Sequence, residues 1–215
     1  MRAFYLTLCL LILLFGCQSE DQGTKPEQEK EETATEEAEK QKVVDLKKFL
    51  KPDNTVANFL GDGNEFSSYT EKTTWLNDEF VGTIVDNGGV SLMTIYKITK
   101  NQIEIVFKEP IDLDTPFPKI EELEVLEPIE TYLATPIEEG TSFGQWKIVE
   151  TNATIETPYK TFEKAIILEE KGENYVNRKY FVEGLGEIKT ESIMDTDQGE
   201  TYTVTSALQS ITTIE

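Results

Sequence analysis

Carboxylates are the plentiful reactive groups of this chain. It carries 41 Asp and Glu against 20 Lys and Arg, a net charge of −21, and no histidine. Without imidazole there is no Ser-His-Asp or Cys-His nucleophile, and the catalytic zinc sites that lean on imidazole are excluded. Two carboxylates about 5–10 Å apart are the apparatus of glycoside hydrolysis. With 41 of them some pair meets that distance in any fold, so spacing alone carries no information. Glu65 stands out only because it sits in a Gly-rich turn beside Asp62 and Asn64. The same turn, and a second at Asp195-Thr196-Asp197, cluster oxygen ligands of the kind calcium takes. Asp62, Asn64, Glu65, Asp195 and Asp197 are therefore weak candidate ligands. Neither cluster has the spacing of an EF-hand loop, and Asx-rich hairpin turns look the same with no ion. No catalytic residue, resident metal or cofactor is expected.

The one specific chemical signal is Leu14-Phe15-Gly16-Cys17. Arg2 supplies a short positive start, and in residues 3–15 only Thr7 and Cys9 are not strongly apolar or aromatic. A charged start, an apolar run and a small residue make a secretory leader. The run is short of the roughly 20 residues a spanning helix needs. A small residue followed by Cys at the end of that run reads as a lipobox, so residues 1–16 are expected to be removed and Cys17 to carry a lipid. The pattern resembles bacterial lipoproteins. It implies an S-diacylglycerol cysteine, N-acylated in many bacteria, on the outer face of the cell membrane. Phe15 is bulkier than the residue usual at its place. One acyl chain holds a protein marginally and two or three hold it stably.

Several exclusions follow. Cys9 leaves with the leader and Cys17 is modified, so the remainder has no disulfide and must be stabilised by packing. Loss of Arg2 takes the net charge to −22, which opposes nucleic acid and anionic lipid surfaces. The expected partners are the membrane, through the anchor alone, and an unidentified envelope protein or hydrophobic ligand.

The elements that would position such groups read as β. Residues 18–42 hold nine acidic and four basic side chains and no large apolar one, a composition that cannot bury a core. As a flexible coil they would span roughly 25–30 Å, a tether. Residues 43–50 read as a short amphipathic helix or extended segment that docks the chain, ended by Pro52. Val90, Leu92, Thr94, Tyr96 and Ile98 then alternate with their neighbours, and Ile103, Ile105 and Phe107 continue after a turn, the period of strands. Asp86-Asn87-Gly88-Gly89 is a strong turn; others fall at residues 171–174, 184–186 and 195–200. We expect about ten strands in an antiparallel meander or curved sheet over residues 43–215, with one or two short helices, the second within 119–126. Residues 54–109 and 131–215 read as two β halves joined by a Pro-rich, acidic connector. Gly63-Asn64-Glu65-Phe66 and Gly140-Thr141-Ser142-Phe143 echo each other weakly, and chance similarity among amphipathic strands accounts for this better than duplication.

Thr157-Pro158-Tyr159-Lys160-Thr161-Phe162-Glu163-Lys164-Ala165, and the run from Arg178-Lys179-Tyr180-Phe181 through Gly184-Leu185-Gly186 to Glu191, resemble uncharacterised exported lipoproteins of Bacillus-type bacteria. Gly63-Asn64-Glu65-Phe66 and Asp86-Asn87-Gly88-Gly89 are similar to the N-terminal part of that group. The resemblance implies a Gram-positive envelope and an antiparallel β domain and brings no activity. Gly184-Leu185-Gly186 lies between two strands, so it is a hairpin device and not a nucleotide cradle.

Trp75, Trp146, Tyr159, Phe162, Tyr180 and Phe181 are expected in the core or in cross-strand pairs. Arg178 and Lys179 are expected to pair with surface glutamates. The function expected is non-catalytic: a lipid-anchored module that binds a partner. The alternatives are a carrier with a small hydrophobic ligand in the sheet's concavity, and a carboxylate enzyme acting on wall glycans. A carrier requires an apolar cavity; a glycan enzyme requires a groove with two carboxylates, one kept protonated.

Overall fold

The computed structural model describes residues 44–112, 114–196 and 199–214. The leader, Cys17, the tether and Asp197 lie outside them. The chain forms β1 (Thr55–Asp62), β2 (Tyr69–Trp75), β3 (Phe80–Asp86), β4 (Ser91–Ile98) and β5 (Gln102–Ile111). After the single-turn helix α1 (Ile120–Leu123) come β6 (Glu130–Ala134), β7 (Ser142–Phe143), β8 (Trp146–Glu156), β9 (Thr161–Lys171), β10 (Tyr175–Val182), β11 (Gly186–Asp195) and β12 (Thr201–Thr213). The fold is therefore nearly all β, as the alternation predicts, with twelve strands where about ten are legible.

All twelve belong to one antiparallel sheet in the order β6-β5-β4-β3-β2-β1-β12-β11-β10-β9-β8-β7. Every neighbouring pair is consecutive in the chain except β1 and β12, which pair from Thr55↔Thr213 to Asp62↔Thr205. That one non-local ladder curls two six-stranded meanders into a nearly closed barrel. The remaining seam lies between β6 and β7. β6 pairs with β5, so the break in the sheet falls at residues 135–141, one strand after the Pro-rich connector.

The connector does more than join. Met93, Ile95 and Phe80 face Leu123 of α1, with Phe117, Ile120 and Leu126 packed around them. The other face of the same strands supplies Val81, Ile103 and Ile105 to a second cluster. β3 to β5 are thus apolar on both faces, one turned inward and one roofed by residues 117–126. Gly82 makes the roof possible, because a Cβ there would stand 2.4 Å from the Phe117 ring.

The opposite end of the sheet is stoppered by the chain's approach to β1. Asp45 caps a 3-10 turn, Leu46–Phe49, by accepting from the Lys47 N–H at 3.1 Å. Leu46, Phe49 and Leu50 are buried against Val81, Leu133, Ile166 and Phe181. The plug is tied to the β10–β11 turn, where the Gly184 N–H donates to the Lys48 carbonyl at 2.7 Å. At Gly186 φ is +66° and a Cβ would lie 2.6 Å from the Phe49 carbonyl oxygen. At Gly184 φ is +88° with open space around it.

Those two glycines separate backbone strain from the fit of the plug. Gly184→Ala should cost about 1–2 kcal/mol, the penalty of a left-handed L-residue. Gly186→Ala should cost clearly more, because it also displaces Phe49. Urea unfolding of the two variants measures the difference, and equal costs would show that the plug contributes nothing there.

Candidate functional site

Three places concentrate chemistry. The first is inside the barrel, where the plug meets β2 and β11. The Lys51 ammonium is 4% exposed. It reaches Glu71 Oε1 at 3.0 Å and the Glu187 backbone carbonyl at 2.9 Å, and lies 5.1 Å from the Phe59 ring. The Tyr132 hydroxyl donates to Glu187 Oε2 at 3.3 Å. Burial pushes the Glu187 carboxyl above its usual range, Lys179 and Lys51 pull it back, and Glu71 adds to the rise. Burial likewise raises Tyr69, Tyr96 and Tyr132, with Glu187 and Glu71 reinforcing it. Two carboxylates, one with a raised pKa, match the electrostatic half of what a glycan enzyme needs. The space that Glu71 and Glu187 line is only about 10 Å³, room for one water at most.

The second is a groove of about 1180 Å³ beside the plug. Val44, Asp45, Lys48 and Phe49 form one wall, residues 159–164 with Ile166 another, and residues 182–185 the end. The β8–β9 hairpin creates it. Its register breaks three times, between Ile148 and Glu150, Glu150 and Ala153, and Ala153 and Ile155. Such bulges bend a strand, and this hairpin bends until the Tyr159 N–H donates to the Leu208 carbonyl of β12 at 3.0 Å. Lys164 adopts φ +57°, a left-handed conformation that a non-glycine residue holds only where its surroundings impose it. Tyr159 is exposed, Phe162 is buried behind it, and the Lys160 ammonium lies over both rings at 5.7 and 4.8 Å. The floor is apolar (Phe49, Ile137, Ile166, Val182, Leu185), while Lys48, Lys160 and Lys164 alternate with Asp45, Glu163 and Glu183.

The third lies on β10 to β12. Adjacent residues of β10 meet different neighbours. Arg178 pairs with Glu169 at 3.0 Å and Glu191 at 3.7 Å, as expected. Lys171 and Lys189 extend this into a surface ladder. Burial opposes ionisation of Glu169, but hydrogen bonds from Lys171 and Arg178 overcome it and its carboxyl titrates low. Glu191 titrates low for the same balance, with Lys189 and Tyr180 as donors. Lys179 departs from the expectation. It has no carboxylate within salt-bridge distance among the described residues and lies instead over Trp146 and Tyr132, at 4.4 and 4.9 Å. It borders a hollow of about 260 Å³.

The acidic turns are otherwise occupied. Asp62 accepts from the Gly63 N–H, Asn64 from the Phe66 N–H, and Asp195 from the Thr201 hydroxyl. Glu65 is exposed. Among the described residues no three acidic or cysteine side chains converge on one point. No helix among them is long and apolar enough to cross a membrane. Trp146, Phe162, Tyr180 and Phe181 are buried as expected; Tyr159 is not.

No family model matches the chain, and no curated protein matches it. Among solved structures, a Bacteroides fragilis protein described as exported and as having a YmcC-like fold is similar at 9% sequence identity and a TM-score of 0.45. The likeness covers 76% of this chain and 98% of that one.

The buried cluster is testable through stability. Glu71→Gln strands the Lys51 ammonium and should cost on the order of 3 kcal/mol, whereas Lys51→Met with Glu71→Leu should recover most of it; urea unfolding distinguishes them. Glu187 has the opposite sign to Glu169 and Glu191. Its folded pKa is raised, so its penalty is absent at pH well below 4.5 and appears as pH rises through the folded value. Glu187→Gln should therefore raise the melting temperature at pH 7 and do little below pH 4. The contribution of Glu169 and Glu191 is present above pH 4.5 and lost as pH falls through their lowered values. A Glu187→Gln gain that grew on acidification would contradict this assignment.

Proposed function

We propose that the protein is a lipid-anchored, extracytoplasmic binding module of a Gram-positive envelope. In this reading it is not an enzyme, and it takes an extended, partly apolar ligand in the groove beside its plug. One observation carries the reading: Tyr159 to Lys164, inside a stretch on which the resemblance to exported lipoproteins partly rests, form a wall of the 1180 Å³ groove. A floor of Phe49, Ile137 and Ile166 offers apolar contact, and lysines and carboxylates around it offer hydrogen bonds, the mixture typical of a binding cleft. The strained backbone at Lys164 supports the same assignment.

The two competing readings fare differently on geometry. A hydrophobic carrier would use the concavity of the sheet, which is filled by Phe49, Ile105, Tyr132 and Phe181. A glycan enzyme would use Glu71 and Glu187, where no sugar fits. Placement outside the cell and the lipid on Cys17 rest on the leader pattern of residues 1–17.

Two measurements test the proposal. Cys17→Ser should release the protein into the medium or leave it as unprocessed precursor, and a processed, membrane-bound Cys17→Ser protein would require another attachment. For the groove, the native protein and a Tyr159→Ala/Lys160→Glu variant should be recovered from envelopes and their associated proteins and lipids compared by mass spectrometry. Molecules present with the native chain and depleted with the variant support the groove. Identical sets, or nothing with either, overturn it.

A further inference from the structure

We infer that β10, β11 and β12 together hold a second binding site, for a small monocarboxylate bearing one ring, with Lys179 as the cation that receives the carboxylate. Strand register builds it. Three cross-strand rows stack along one face: Tyr175–Met194–Tyr202, then Asn177–Ser192–Val204, then Lys179–Thr190–Ser206. The first row is at the strand ends and is exposed, at 36%, 38% and 43%. The 260 Å³ hollow is lined by the second and third rows, by Trp146 beside Lys179, and by Arg178 and Glu191, which pair with each other. One face thus runs from an apolar, aromatic rim through a polar middle to an ammonium.

The middle row is self-contained. Ser192 donates to Asn177 Oδ1 at 2.7 Å, and Asn177 donates to Glu170, which also accepts from Tyr175. The third row is not. Ser206 donates to the Ser67 carbonyl at 2.7 Å, but among the described residues neither the Lys179 ammonium nor the Thr190 hydroxyl has a hydrogen-bond acceptor. Neither is sealed from solvent, since no buried side-chain donor lacks a partner. An ammonium carries three donors. The Trp146 and Tyr132 rings and the nearby Glu187 carboxylate satisfy its charge in part and none of its hydrogen bonds. The other lysines shielded from solvent either pair with carboxylates (Lys47, Lys51, Lys189) or, like Lys97, rest on a ring away from this hollow.

The missing acceptors define the ligand. Lys179 and Thr190 are register neighbours, and an ammonium and a hydroxyl, each with a free donor, match the two oxygens of one carboxylate. A single ammonium inside a chain of net charge −21 favours one negative charge over two, which sets a carboxylate above a phosphate ester. The hollow is at the small end of ligand pockets and holds one ring, and Trp146 and Val204 in its lining offer that ring apolar contact. A sugar acid and an aromatic acid share this chemistry.

The test uses the detergent-solubilised full chain, titrated with benzoate and glucuronate and, as uncharged matches, benzamide and glucose, followed by amide NMR. Saturable shifts at Lys179, Thr190 and Ser192 with either acid are expected, and which acid binds identifies the ring. Lys179→Gln should weaken binding by about ten-fold or more, the loss of one charge-assisted hydrogen bond, and Thr190→Val and Val204→Ala should each weaken it less. If Lys179→Gln fails to fold, those two variants carry the test. The Tyr159→Ala/Lys160→Glu variant should bind the acids unchanged, which separates this site from the groove. Absence of binding by both acids, equal binding by the uncharged matches, or unaltered affinity in folded Lys179→Gln would overturn the site.

Discussion

A buried ammonium organises this molecule. Lys51 is drawn out of water at the point where the chain enters the sheet, and burying a lone charge costs several kcal/mol unless its geometry is met on all sides. Here it is met by Glu71 from β2 and the Glu187 carbonyl from β11. The carbonyl of Lys51 itself accepts from the Trp75 indole N–H at 2.9 Å. One residue therefore fixes the plug to strands of both meanders. With the plug seated, Leu46, Phe49 and Leu50 complete the core and the interior keeps only about 10 Å³ beside the charges. A barrel filled in this way has no room for cargo. The groove beside the plug lies outside this filled interior, whereas Lys179 and its hollow lie on the inward face, next to Tyr132 and Trp146.

Those surfaces arise from irregularity in the second meander. β3 to β5 are roofed on one face and packed on the other. β8 to β12 have no such roof, and the bulged β8–β9 hairpin folds over until it touches β12. The fold-over buries Ala153, Phe162 and Ala165 against Val182, Ile188 and Leu208 and leaves the groove at its flank. The same bulges blunt the edge of β8, which β7 covers only at Trp146 and Lys147. Irregular edges resist pairing with other chains.

What local chemistry specifies was legible. Asp86 to Gly89 forms the predicted turn because Asn87 Oδ1 accepts from the Gly89 and Val90 N–H groups. The 3-10 turn and α1 fall inside the predicted segments. What distance specifies was not. β7 is two residues long and has no periodicity to detect, and nothing local announces that β1 will find β12. The site followed the same division. Residues 157–165 are conspicuous as a string, yet the groove that residues 159–164 wall depends on a bend set by bulges. Arg178 and Lys179 look interchangeable in sequence, but neighbours in a strand point to opposite faces, so one joins a surface ladder and the other faces a hollow. Glu187 reads as one more surface carboxylate beside a glycine turn. Only the plug's arrival buries it.

The pairing of the first strand with the last has one more consequence. The Ile214 N–H donates to the Asn54 carbonyl at 2.7 Å, so the two ends of the sheet's path are adjacent. A circular permutant that joined residue 214 to the start of the plug through a flexible linker, so keeping residues 44–53, and opened the chain within residues 135–141 would run β7 through β12 and then β1 through β6, in unbroken spatial order. Its only long-range ladder would have become local. Loop-closure entropy weighs on folding rate more than on final stability, so such a permutant should fold faster while reaching nearly the same barrel.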